Sequence, residues 1–127
     1  MKILILTLAA LTLSNSAMAS SLQCDLQQSL EGVKTSQVFE VQGSNDPHGS
    51  ILYFSADQFE DVQGFVSIQS NQGKEFSVIS LNSKKWQLAS SSISQLVIDD
   101  QFVHQQAILP STGLKLSAVV VDCIYKK

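Results

Sequence analysis

Cys24 and Cys123 are the two cysteines of this chain, and they stand near its two tips, in SAMASSLQC and VVVDCIYKK. Two cysteines allow one intramolecular bond, so a fold that pairs them must bring its first and last segments together. On the chain-entropy account, a closed loop of ~100 residues contributes roughly 4–5 kcal/mol. Domain stability totals typically ~5–15 kcal/mol, so the clip is a major part of such a fold. No CxxC occurs, and two distant cysteines are too few to make a metal site. The bond needs an oxidising compartment, and the N-terminus supplies a route to one.

Met1-Lys2 is followed by an apolar run from Ile3 to Leu13, broken by Thr7 and Thr12. Ser14-Asn15-Ser16 and the small-residue pattern Ala17-Met18-Ala19 come next. This is the layout of a secretory leader, cleaved after Ala19. A membrane-spanning helix needs about 20 apolar residues, which this run lacks. Cys24 follows Leu22-Gln23, too far from the cleavage point for a lipid anchor. The expected products are a leader over 1–19 and a single exported domain over 20–127, periplasmic or secreted, with no membrane anchor. The eight basic residues are all lysine, against 11 acids, for a net charge of −3; loss of Lys2 lowers it by one more. An acidic chain without arginine lacks the footprint of a nucleic-acid binder.

Between the cysteines, apolar residues recur with a period near two, the signature of strands. Leu22, Cys24 and Leu26 alternate with Gln23, Asp25 and Gln27. Val38–Gln42 and Ile51–Phe54 are further candidates. In VQGFVSIQS, Val62, Gly64, Val66 and Ile68 share one face, and Gln63, Phe65, Ser67 and Gln69 the other. Asn71-Gln72-Gly73 then predicts a hairpin loop into EFSVISL. Asn82–Lys85 predicts a second loop, leading to Trp86-Gln87-Leu88. A serine-rich stretch at 90–94 precedes QLVIDDQFV, and LKLSAVVVDCIY closes the chain. Leu114 and Leu116 sit on one parity and Val119, Val121 and Cys123 on the other, which calls for a bulge near 117–119 or a strand buried on both faces. Ser55 and Gln58 fit a helix-capping box and predict one or two helical turns before Val62. The expectation is an all-β fold, a small antiparallel barrel or sandwich of about eight strands, its termini tied by one disulfide.

Catalytic signals are sparse. His104 follows Asp99-Asp100, a combination able to activate a nucleophile in a small hydrolase, and His48 lies in the turn-forming NDPHG. No HExxH, EF-hand, GxSxG, SxxK or phosphate-loop pattern occurs, and nothing calls for a metal or cofactor. Asp57, Glu60 and Asp61 crowd one short turn rather than facing each other across a cleft, as a glycosidase pair would. Phe65 interrupts an otherwise polar strand face, and Trp86 follows a lysine-bearing turn; both are candidate binding aromatics. In outline the pattern resembles small exported bacterial β domains, including barrel-shaped inhibitors of cell-wall enzymes. The function expected is non-enzymatic binding of a protein or an envelope glycan. The alternative is a hydrolase using His104 with Asp99 or Asp100.

The cysteines' neighbours carry a further expectation. If Cys24 lay directly opposite Cys123 on antiparallel strands, Asp25 would face Asp122, and like charges directly opposite destabilise a sheet. The sequence therefore predicts cysteines that are offset diagonally or bridge two different sheets, or else a cation or a lysine such as Lys34 between the aspartates.

Overall fold

The computed structural model describes residues 20–43, 49–56, 59, 61–109 and 117–127. The leader, His48, Leu114 and Leu116 lie outside them. Among the described residues are eight strands: β1 (Ser21–Leu30), β2 (Val33–Gln42), β3 (Ser50–Ser55), β4 (Gln63–Asn71), β5 (Lys74–Ser83), β6 (Leu88–Leu96), β7 (Gln101–Leu109) and β8 (Ser117–Lys126). They form two four-stranded antiparallel sheets, sheet A in the order β2-β1-β8-β7 and sheet B in the order β3-β4-β5-β6. No backbone pairing joins β2 to β3 or β6 to β7, so the fold is a sandwich and not a closed barrel.

Two tight hairpins set the local registers. Gln72-Gly73 joins β4 to β5 with φ of 54° and 77°, and Glu31-Gly32 joins β1 to β2 with φ of 50° and 92°. Two consecutive left-handed residues give the turn whose twist matches the flanking strands. The expected inward face of the β4 segment is buried: Val62, Val66 and Ile68 are core residues. Gly64 belongs with them because Phe54 of β3 packs over it. A Cβ there would lie 2.6 Å from the Phe54 ring and 2.3 Å from the Ser80 carbonyl oxygen.

In β8, Ser117, Val119, Val121, Cys123 and Tyr125 point inward and are buried. The register with β1 and β7 is unbroken, so no bulge interrupts the strand from Ser117 onward. The serine-rich stretch is not a connection but the middle of β6. Its inward hydroxyls meet β7. Ser92 donates to the His104 carbonyl at 3.4 Å, and Gln105 donates to Ser90. Gln101 accepts from the Val97 N–H and donates to the Gln95 carbonyl, both at 2.8 Å. Small hydroxyls and amides thus close a seam that has no backbone ladder. Val97 and Ile98, expected in a strand, sit exposed in the β6–β7 turn. No helix occurs among the described residues. Asp57 and Gln58 of the capping box lie outside them; around them, Ala56 N–H reaches the Val62 carbonyl at 2.9 Å and Phe59 N–H the Ala56 carbonyl at 2.9 Å. That loop buries Ala56 and Phe59.

The Cys24–Cys123 disulfide is present and ties β1 to β8. The expectation of offset cysteines is overturned: Cys24 is the direct register partner of Cys123, and Asp25 faces Asp122. The Cα atoms of the cysteines are 4.1 Å apart, the narrow spacing of an antiparallel ladder. The aspartates therefore occupy the adjoining wide site, where Cα atoms are ~5.5 Å apart. Neither Lys34 nor any other lysine forms an ion pair with them among the described residues. Neutral donors do the bridging instead. The Gln27 amide donates to Asp25 at 3.1 Å and to Asp122 at 3.4 Å, and Ser36 donates to Asp25.

Candidate functional site

The two sheets present very different outer faces. On sheet A the outward row through the disulfide's neighbours runs Val38, Asp25, Asp122, His104. His104 Nδ1 lies 3.9 Å from the Asp122 carboxylate. The predicted partners of His104 are engaged elsewhere. Asp100 accepts from the Lys126 ammonium, which raises the lysine's pKa, and Asp99 accepts from the Lys127 N–H at 2.8 Å. The fold thus sets His104 beside Asp122 and gives both aspartates of the alternative hydrolase site to the two C-terminal lysines. No group of three His, Cys, Asp or Glu side chains among the described residues is arranged to hold a metal ion.

Asp61, from the crowded carboxylate turn, is a structural anchor. It accepts from the Lys85 N–H at 2.7 Å and from the Ser83 hydroxyl at 3.2 Å, and these bonds hold its carboxyl below the usual range. Asp57 and Glu60 lie outside the described residues. Tyr125 donates to Glu75 across the sandwich, and Ser20 donates to the second Glu75 oxygen at 2.8 Å. Burial, followed by the Glu75 carboxylate, pushes the Tyr125 hydroxyl up to about 12. This network links the sheets at one end of the core and offers no open site.

Sheet B carries no charge on its outer face between the Asn82 row and the Phe76 row. One outward row runs Ile51, Ser67, Val78, Ile93; the next runs Tyr53, Phe65, Ser80, Ser91. Tyr53 is 72% and Ile93 71% exposed, yet Ser67 between the neighbouring side chains is 1% exposed. The Tyr53 and Phe65 rings touch, with centroids 5.8 Å apart and planes tilted by 57°. Beside them Ser55, Gln63 and Asn82 form a third row of uncharged polar groups. These residues line an open concavity of about 450 Å³.

Phe65 therefore lies on an exposed face, as its strand position predicts, and Trp86 does not join it. Trp86 is half-buried against the core, its backbone N–H donating to the Ser83 hydroxyl at 3.1 Å, with Lys85 Nζ 5.9 Å from the ring centroid. Sequence reasoning placed Gln63 on the face of Phe65 but missed Tyr53 and Asn82 as its companions. The signal for Tyr53 is alternation within Ile51–Phe54, which reads as one continuous apolar run. No protein-family model, curated protein or solved structure matches this chain.

Proposed function

We propose that the chain is an exported, non-enzymatic binding module of the periplasm or secretome, and that it reads a neutral envelope glycan on the outer face of sheet B. The closed disulfide is compatible with an oxidising extracellular or periplasmic location, and the leader pattern in 1–19 supports export. The observation that carries the reading is the exposed Tyr53–Phe65 pair beside the Ser55–Gln63–Asn82 row. An aromatic ring offers a flat apolar surface to the C–H face of a sugar. Asn and Gln each supply donors and an acceptor, as neighbouring sugar hydroxyls require. The outward rows from Asn82 to Phe76 carry no charged side chain, which suits a neutral ligand. The hydrolase alternative gains no support from the geometry of His104, which is 55% exposed and lies beside Asp122.

The test is a pull-down on insoluble peptidoglycan, cellulose and chitin. Retention on at least one, reduced about tenfold by Tyr53→Ala and unchanged by His104→Ala, is the expected result. Retention that survives Tyr53→Ala and Asn82→Ala together, or no retention on any of the three, sinks the proposal.

A further inference from the structure

Strand β2 ends sheet A with an open edge. Its ten residues pair with β1 in unbroken register from Ser21↔Gln42 to Leu30↔Val33, and β2 pairs with no other strand among the described residues. Residues Val33 to Val38 are all exposed, on both faces of the strand, with Val38 at 78%. Natural edges of this kind are blunted by proline, bulges, inward charges or edge lysines, and of these β2 carries the lysine alone, Lys34. β2 has no proline, its register contains no bulge, and its charged residues are Lys34 and Glu40, both outward.

The ladder tells which backbone groups are unused. Cys24 and Cys123 form a narrow pair, which does not exchange backbone hydrogen bonds. Cys24 therefore turns its N–H and C=O toward β2, where its partner is Phe39. By alternation Thr35, Gln37 and Phe39 bond to β1. Lys34, Ser36, Val38 and Glu40 aim their N–H and C=O groups at the open edge.

We propose that a second copy of this chain adds its own β2 at this edge, antiparallel, about a two-fold axis through Gln37. In that register Lys34 of one copy faces Glu40 of the other, and the same pair recurs on the far side of the axis. Ser36 of each copy faces Val38 of the other. All four residues belong to the edge-facing set, so the backbone ladder and the charge pairs are satisfied together. Sliding the strands by two residues either way leaves both lysines and both glutamates without each other. The strand is therefore self-complementary in one register, as an isologous contact requires. The product is a continuous eight-stranded sheet that leaves the outer face of sheet B uncovered, so this contact stands or falls apart from glycan binding.

Sedimentation of the oxidised protein over a range of concentrations tests this. A monomer–dimer equilibrium is expected. Lys34→Glu or Glu40→Lys alone sets like charges opposite each other twice and weakens the dimer about tenfold. The double variant restores it with the pairs reversed. Val38→Pro removes an edge-facing N–H and no bond to β1, and abolishes the dimer. A protein that stays monomeric at every concentration overturns the proposal. So does a dimer that survives Val38→Pro, or a folded double variant that does not recover from the single charge reversals.

Discussion

Sheets A and B have the same number of strands and the same antiparallel plan, but their registers are held by different means. Sheet A has a covalent bond across its centre, between Cys24 and Cys123. Sheet B relies on packing: Phe54 over Gly64, and a tight turn at Gln72-Gly73. The difference shows on their outer faces. Sheet A tolerates Asp25 directly opposite Asp122 because the adjoining disulfide sets the register whatever those charges prefer. Sheet B has no such clamp, and its outward rows from Asn82 to Phe76 are neutral. A covalent link makes side-chain conflict affordable; a sheet without one must avoid it.

The strongest way to break this contrast is to remove the bond. Replacing Cys24 and Cys123 together by Ser should lower stability by about 4–5 kcal/mol in urea unfolding. A loss under about 1 kcal/mol would show that packing, not the disulfide, holds sheet A in register.

The two sheets meet at Tyr125 and Glu75, and alkaline pH probes that joint. The folded pKa of Tyr125 is raised to about 12 from 10.0. Its contribution is fully present below pH 10 and is lost as pH rises toward 12, because the unfolded chain gives up the proton first. The loss is on the order of 2–3 kcal/mol. Lys126, raised by Asp100, also loses its partner as its ammonium deprotonates. The difference between wild type and Tyr125→Phe therefore isolates the tyrosine. Identical alkaline limbs in the two proteins would contradict the assignment.

The smallest effect sharpens the comparison most. Asp25→Asn removes one of the facing charges while keeping an oxygen to accept from Ser36. Thermal unfolding at neutral pH should show a gain of about 0.2–1 kcal/mol. A loss would mean that the Gln27 and Ser36 bonds outweigh the repulsion.

Several elements were legible in the sequence. The cysteine pairing followed from count and compartment, the inward set Val62, Val66 and Ile68 from period-two alternation, and the β4–β5 hairpin from Asn71-Gln72-Gly73. Neighbouring residues suffice for the last two, and a count of two cysteines for the first. Others were not legible. The middle of β6 turns Ser90, Ser92 and Ser94 inward between Leu88 and Leu96, and serine carries little strand preference; the ladder to β5 and hydrogen bonds to β7 explain its place. Val97 and Ile98 have strand character but fall in a turn, where the neighbouring Gln101 side chain takes their N–H groups.

What the sequence determined by itself is therefore the alternation along most strands and the one covalent bond between the ends: alternation depends on near neighbours, and two cysteines leave a single internal pairing. The tertiary structure alone decided which residues lie opposite one another. It set Asp25 against Asp122, His104 beside Asp122 in place of Asp99 or Asp100, Tyr53 against Phe65, and Trp86 against the core. A period of two tells each side chain which face it shares, but the register between strands distant in sequence comes from packing across the whole sandwich.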